Sequence, residues 1–81
     1  MQAVVHVTLK KTVLDPQGRT IQAALNNLGH DAVTSVRQGK FFEIDLADGV
    51  SADAAREQAD RIAREMLANP VIEEYTVTIR E

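Results

Sequence analysis

The sequence contains no cysteine. Disulfides are thereby excluded, and thiolate metal sites with them. It has two histidines, His6 and His30, too few for a histidine-based zinc site without carboxylate help. Aromatic residues make up only 4% of the chain. The stacking platform of an RNA-binding sheet is therefore missing, with Phe41 as its sole candidate. There is no basic excess either: 9 Lys and Arg stand against 12 Asp and Glu, for a net charge of −3, where nucleic-acid binders usually carry a surplus of cations. No apolar stretch approaches the ~20 residues of a membrane span. The opening MQAVVHVTL lacks the basic start of a signal peptide and is too short for one. The expectation is a cytoplasmic protein with no nucleic-acid and no membrane partner.

What is present suits one small domain over 1–81. The composition, 44% hydrophobic and 26% charged, is that of a folded globular chain. A chain of this length hides only roughly 60–65% of its unfolded surface, so its core is thin. Small domains add disulfides, metals or oligomerisation. With the first excluded, oligomerisation is the expected reinforcement.

Residues 3–9, AVVHVTL, are β-branched and alternating. They predict a strand with Ala3, Val5, Val7 and Leu9 on one face and Val4, His6 and Thr8 on the other. Asp15-Pro16 starts a helix, the aspartate capping and the proline supplying a helical φ. Ile21, Ala24, Leu25 and Leu28 then form one helical stripe over 16–28, and Gly29 stops it. Residues 32–46 read as a hairpin: Val33–Arg37 one arm, Gln38-Gly39 the turn, Lys40–Leu46 the other. Ser51 caps a second helix. Its buried stripe is Ala55, Ala59, Ile62, Ala63, Met66 and Leu67, and Asn69-Pro70 ends it. Its solvated face carries the i,i+4 pairs Arg56–Asp60, Glu57–Arg61 and Asp60–Arg64. Residues 72–79 close as a strand with Tyr75, Val77 and Ile79 on one face.

The order is β-α-β-β-α-β. It predicts an α+β, ferredoxin-like fold, two helices on one face of a four-stranded antiparallel sheet. The opposite face (Val4, His6, Thr8, Phe41, Thr76, Thr78) is neither charged enough to be wet nor apolar enough to be core, and suits contact with another subunit.

No catalytic constellation emerges. Ser35 and Ser51 sit in a strand and at a helix cap with no histidine near in sequence. Asp45, Asp48, Glu73 and Glu74 read as solvating carboxylates. His6 reads as an interface or surface histidine, and His30 as exposed. The Asp15-Pro16-Gln17-Gly18 turn, with Lys10 and Lys11 beside it, offers an anion cradle at a helix N-terminus. Against that, Asp15 would itself occupy the amides, and one glycine is far from a phosphate-loop motif. The cations of Arg37-Gln38-Gly39-Lys40 read as hairpin solvation if taken alone.

Three stretches go further together. VTLKKTVLDPQG (7–18), SVRQGKFFEIDL (35–46) and MLANPVIEEYTV (66–77) resemble the PurS family, the small subunit of phosphoribosylformylglycinamidine (FGAM) synthase. Ile21, Ala24, Leu25, Leu28 and Gly29 fit as well, so the resemblance covers nearly the whole chain. It implies a role in step four of purine biosynthesis, in which formylglycinamide ribonucleotide, glutamine and ATP become FGAM, glutamate, ADP and phosphate. It implies a subunit without an active site, forming a homodimer or homotetramer. That subunit joins a glutaminase (PurQ-type) to a synthetase (PurL-type) and supports ammonia transfer between them. No cofactor is expected on it, ATP and Mg being used by the synthetase. Motif position places Lys10, Asp15, Gln17, Arg37, Lys40 and Asn69 near subunit contacts, with no catalytic role. The alternative from the element order alone is a small-molecule sensor like the regulatory ACT domains.

Overall fold

The computed structural model describes residues 1–81. Three strands and two helices follow in the order β1 (Gln2–Leu9), α1 (Pro16–Asn27), β2 (Gly39–Asp45), α2 (Ala52–Ile62, extended by a wider turn over Ala63–Leu67) and β3 (Glu73–Arg80). The strands form one antiparallel sheet in the order β2-β1-β3. In register, Val5 stands between Phe42 and Val77, and Ala3 between Ile44 and Ile79. The alternation read from the sequence thus brings the apolar positions of all three strands onto one face. His6 lies on the other face between Phe41 and Thr76, its ring edge-on to that of Phe41 at 4.9 Å.

The core is thin. Val5, Val7, Ala63 and Ala68 form it, with Phe42, Ile44, Leu67, Tyr75 and Val77 packed around them. Ala55, Ala59 and Ala63 are fully buried on α2, and their small side chains let that helix approach β1 and β3 closely. Ser51 Oγ accepts from the Ala54 amide at 3.1 Å, as its capping role requires. Of the three expected ion pairs on α2, only Asp60–Arg64 forms, at 3.0 Å. Arg56 instead donates to the Val77 carbonyl on β3. Met66 departs from its expected burial and is 82% exposed. The Ala68 amide reaches back five residues to the Ala63 carbonyl. This wider turn delays the stripe, so that Leu67 and Ala68, and not Met66, follow Ala63 onto the sheet.

The expected fourth strand is absent. Val33–Arg37 belongs to no strand, and Gln38-Gly39 is not a turn. A two-residue hairpin of type I′ needs positive φ at both central residues, and only Gly29 and Gly49 have positive φ in this chain. The chain therefore runs on from the strap 33–38 into β2 without reversing. The reason lies in competing hydrogen bonds. Gln22 Nε2 donates to the Thr34 carbonyl and Asn26 Nδ2 to the Val33 carbonyl, which tie the strap along α1.

α1 is displaced with it. Its stripe does not cover the sheet as expected: α2 packs on β3 and β1, while α1 makes no comparable contact with any strand. Ile21 and Leu28 are exposed, the latter at 76%. The result is an arm, α1 with its strap, attached at one end of a three-stranded sheet, and the molecule measures 51 × 26 × 14 Å.

Candidate subunit interface

Asp15 holds the two halves of the arm together where it meets the sheet. Its Oδ1 accepts the Gly18 amide at 2.9 Å, which is the N-cap bond expected from the sequence. Its Oδ2 accepts the Gln38 amide at 2.8 Å, which was not expected. One carboxylate thus caps α1 and clasps the strap. Asp15 is 5% exposed. The Gln38 and Gly18 amides, aided by the Arg37 charge, hold its carboxyl below the usual range, with burial opposing them.

Around this clasp the other bonds close a ring. Arg37 Nη2 donates to the Lys10 carbonyl at 3.0 Å. Gln38 Nε2 donates to Gln17 Oε1. The Lys10 amide donates to the Ile72 carbonyl at 2.8 Å, linking the hinge loop to the turn before β3. There Glu73 Oε1 accepts the Asn69 amide at 2.7 Å, and Glu73 Oε2 lies 3.9 Å from Lys40 Nζ. Asn69 Oδ1 in turn accepts the Val71 amide. Lys10, Asp15, Gln17, Arg37, Lys40 and Asn69, separated by up to 59 positions in sequence, are therefore gathered at one end of the sheet.

The anion cradle does not survive this geometry, because the Gly18 amide is already bound to Asp15. Sequence reasoning missed Gln38 and Gly18. Gln38 carries no signal, since only its backbone is used by Asp15. Gly18 did carry one. It sits in the first turn of α1, where glycine costs roughly 1 kcal/mol relative to alanine, and its φ is not positive. A Cβ there would lie 2.0 Å from the Val36 carbonyl oxygen, so only glycine lets the strap cross the helix this closely.

A second polar cluster lies on α2 and β3. Tyr75 donates its hydroxyl to Asp60 Oδ1 at 2.7 Å, and Asp60 also pairs with Arg64. That hydrogen bond, with burial and the Asp60 charge, raises the phenol above its usual range. No group of three or more His, Asp or Glu side chains is placed to hold a metal ion. No helix is long and apolar enough to cross a membrane.

The model of the family described as PurS: Phosphoribosylformylglycinamidine (FGAM) synthase matches residues 2–81. The chain belongs to the PurS family. It is 47% identical over 77 residues to the PurS subunit of phosphoribosylformylglycinamidine synthase from Mycobacterium leprae, covering 95% of this chain and 92% of that one. It is 39% identical to the Methanocaldococcus jannaschii PurS subunit, covering 99% and 95%. The crystal structure of M. jannaschii PurS superposes with a TM-score of 0.89 at 38% identity, over 99% of this chain and 95% of that one. The structure of PurLQS from Thermotoga maritima contains a chain that superposes with a TM-score of 0.85 at 30% identity, over 95% and 93%. The three-strand sheet with its displaced α1 thus accompanies close agreement with PurS folds.

Proposed function

We propose that this chain is the assembly subunit of FGAM synthase, contributing no active site of its own. It docks a glutaminase to a synthetase and keeps ammonia passing between them. The observation that carries this reading is the near full-length match to a chain of PurLQS. Three features support it. The hinge ring uses its charged groups on main-chain amides and carbonyls of its own chain. The arm leaves apolar surface exposed at Ile21 and Leu28. The second sheet face carries Phe41, half-exposed, beside His6. A subunit of this kind contributes to catalysis by holding donor and acceptor sites in register and by keeping ammonia from water.

On this reading the chain acts in the cytoplasm, binds no cofactor, and leaves ATP and magnesium to the synthetase. It self-associates as a homodimer or homotetramer. The hinge residues Lys10, Asp15, Gln17, Arg37, Lys40 and Asn69 border the contacts between subunits. The amino-acid sensor reading is not favoured, because the family match spans residues 2–81 and the sheet lacks the fourth strand on which that analogy rests.

The test is reconstitution with the cognate glutaminase and synthetase. Glutamine-dependent FGAM formation is expected to require this chain, while ammonia-dependent formation persists without it. Equal glutamine-dependent rates with and without the chain contradict the proposal.

A further inference from the structure

β3 is an edge strand with little of its own to protect it. It runs for 8 residues, Glu73–Arg80, or about 26 Å. Its pairing with β1 is unbroken along that length, so it carries no bulge. It holds no proline and no lysine, and its charges, Glu73, Glu74 and Arg80, stand at its ends. The middle, Tyr75–Ile79, is aromatic and β-branched throughout. Short length, proline, lysine and bulges are the usual means by which an exposed edge refuses a further strand. A segment of this composition is one to which strands add readily.

The register shows which main-chain groups lie on the open side. The Lys10 amide donates to the Ile72 carbonyl, and Leu9 stands opposite Glu73. The groups of Leu9 and Glu73 themselves therefore point away from each other. The same holds at every second pair: Val7–Tyr75, Val5–Val77 and Ala3–Ile79. The amides and carbonyls of Tyr75, Val77 and Ile79 thus face outward. Their amides find no partner in turns or loops either. At the start of the strand, the Glu73 amide is bound by the Asn69 carbonyl, so the preceding turn covers the edge there. The stretch left is Tyr75–Ile79, and Val77 is its centre.

That centre is occupied by a side chain from α2. Arg56 Nη1 donates to the Val77 carbonyl at 3.2 Å. The helical partner of Arg56 would be Asp60, four residues on. Asp60 is instead held by Arg64 at 3.0 Å and by the Tyr75 hydroxyl at 2.7 Å, which leaves Arg56 to the strand. The spacing suits both bonds. Four helical residues advance about 6 Å and two strand residues about 6.7 Å, so with Asp60 over Tyr75, Arg56 comes over Val77.

We infer that Arg56 guards this edge against strand addition. A strand adding to β3 pairs with Tyr75, Val77 and Ile79 in turn, and its central amide needs the carbonyl that the guanidinium holds. The strand refused is β3 of a second copy running antiparallel, with Val77 opposite Val77. That pairing would bring the two Arg56 side chains together at one axis, like charge against like. Nothing in this role depends on the assembly function proposed above.

The test is an Arg56→Ala chain, followed by sedimentation velocity over rising concentration. Arg56 is exposed and alanine favours the helix, so the fold is kept, as circular dichroism will verify. The substitution makes the net charge of −3 more negative by one, which opposes non-specific clumping. The wild-type chain is expected to level off at a fixed size, and the variant to keep growing as concentration rises. In the grown species the Tyr75, Val77 and Ile79 amides are expected to exchange with deuterium about tenfold or more slowly than in wild type. Arg61→Ala removes the same charge from the same helix at another exposed position and is expected to behave as wild type. An Arg56→Ala chain that keeps the wild-type size overturns the guard. So does equal growth of the Arg61→Ala chain, or growth in which those three amides still exchange freely.

Discussion

Gly18→Ala sets two effects of opposite sign against each other. Gly18 lies in α1 with a negative φ, so alanine there would ordinarily stabilise the helix by about 1 kcal/mol. Here the added Cβ falls 2.0 Å from the Val36 oxygen and 3.0 Å from its carbonyl carbon. Contact with main chain cannot be relieved by turning a side chain away, so the strap must retreat by about 1 Å or more, given how closely interiors pack. Overpacking of a tight site costs about 1–3 kcal/mol, and a clash this deep with backbone belongs at the upper end. Subtracting the helix gain leaves a net loss of about 2 kcal/mol, to which the stretched bond from Gln38 to Asp15 adds. That is a large share of the ~4–12 kcal/mol expected of an 81-residue domain. Urea unfolding followed by circular dichroism measures the loss. Hydrogen exchange at the Gln38 amide shows whether the clasp has opened. A variant about 1 kcal/mol more stable, with Gln38 still protected, would refute the clasp as described.

Other expectations follow from single side chains. Asp15 has a depressed folded pKa, so its contribution is full above the unfolded aspartate value of about 4 and is lost as pH falls through the folded pKa. In Asp15→Asn, which cannot accept both amides equally well, an acid titration of stability should lack that component. Tyr75 has a raised folded pKa, so its contribution fades as pH rises above the unfolded tyrosine value of about 10. Tyr75→Phe should flatten that alkaline slope in the same titration. Val5→Ala removes two methyl groups from a fully buried site and should cost about 2–3 kcal/mol in urea unfolding. Met66→Glu should change stability by less than about 0.5 kcal/mol, because the wider turn leaves Met66 exposed.

The legible parts of this fold were those set by local chemistry. Period-two alternation placed Val5, Phe42 and Val77 on one face, and the Asp15, Pro16 and Ser51 signals placed both helix starts. The misread parts were decided at longer range. Val33–Arg37 has strand composition, and Gln38-Gly39 is good turn chemistry, yet a carboxylate 23 residues earlier takes the amide and keeps the chain straight. The stripe of α1 was read correctly as apolar, but its partner was assigned to the wrong surface. An amphipathic pattern shows that a face wants cover without saying which chain supplies it. Met66 failed for a narrower reason, because one turn with i→i+5 bonding breaks the 3.6-residue period.

The candidate interface shows the same split. The six hinge residues came from motif resemblance, and no spacing rule brings Lys10 near Asn69. Their meeting depends on the β1–β3 register and on Glu73, which reaches both Asn69 and Lys40 and reads in the sequence as a merely solvating carboxylate. Gly18 could have been found by asking why a helix would accept glycine in its first turn where φ is ordinary.

The claim that this chain acts by assembly is tested most directly by sedimentation velocity on the cognate glutaminase and synthetase, with and without it, under the conditions of turnover. The account predicts a species containing all three proteins when the chain is present, and separate glutaminase and synthetase boundaries when it is absent. A glutaminase–synthetase complex that forms equally well without the chain would contradict it.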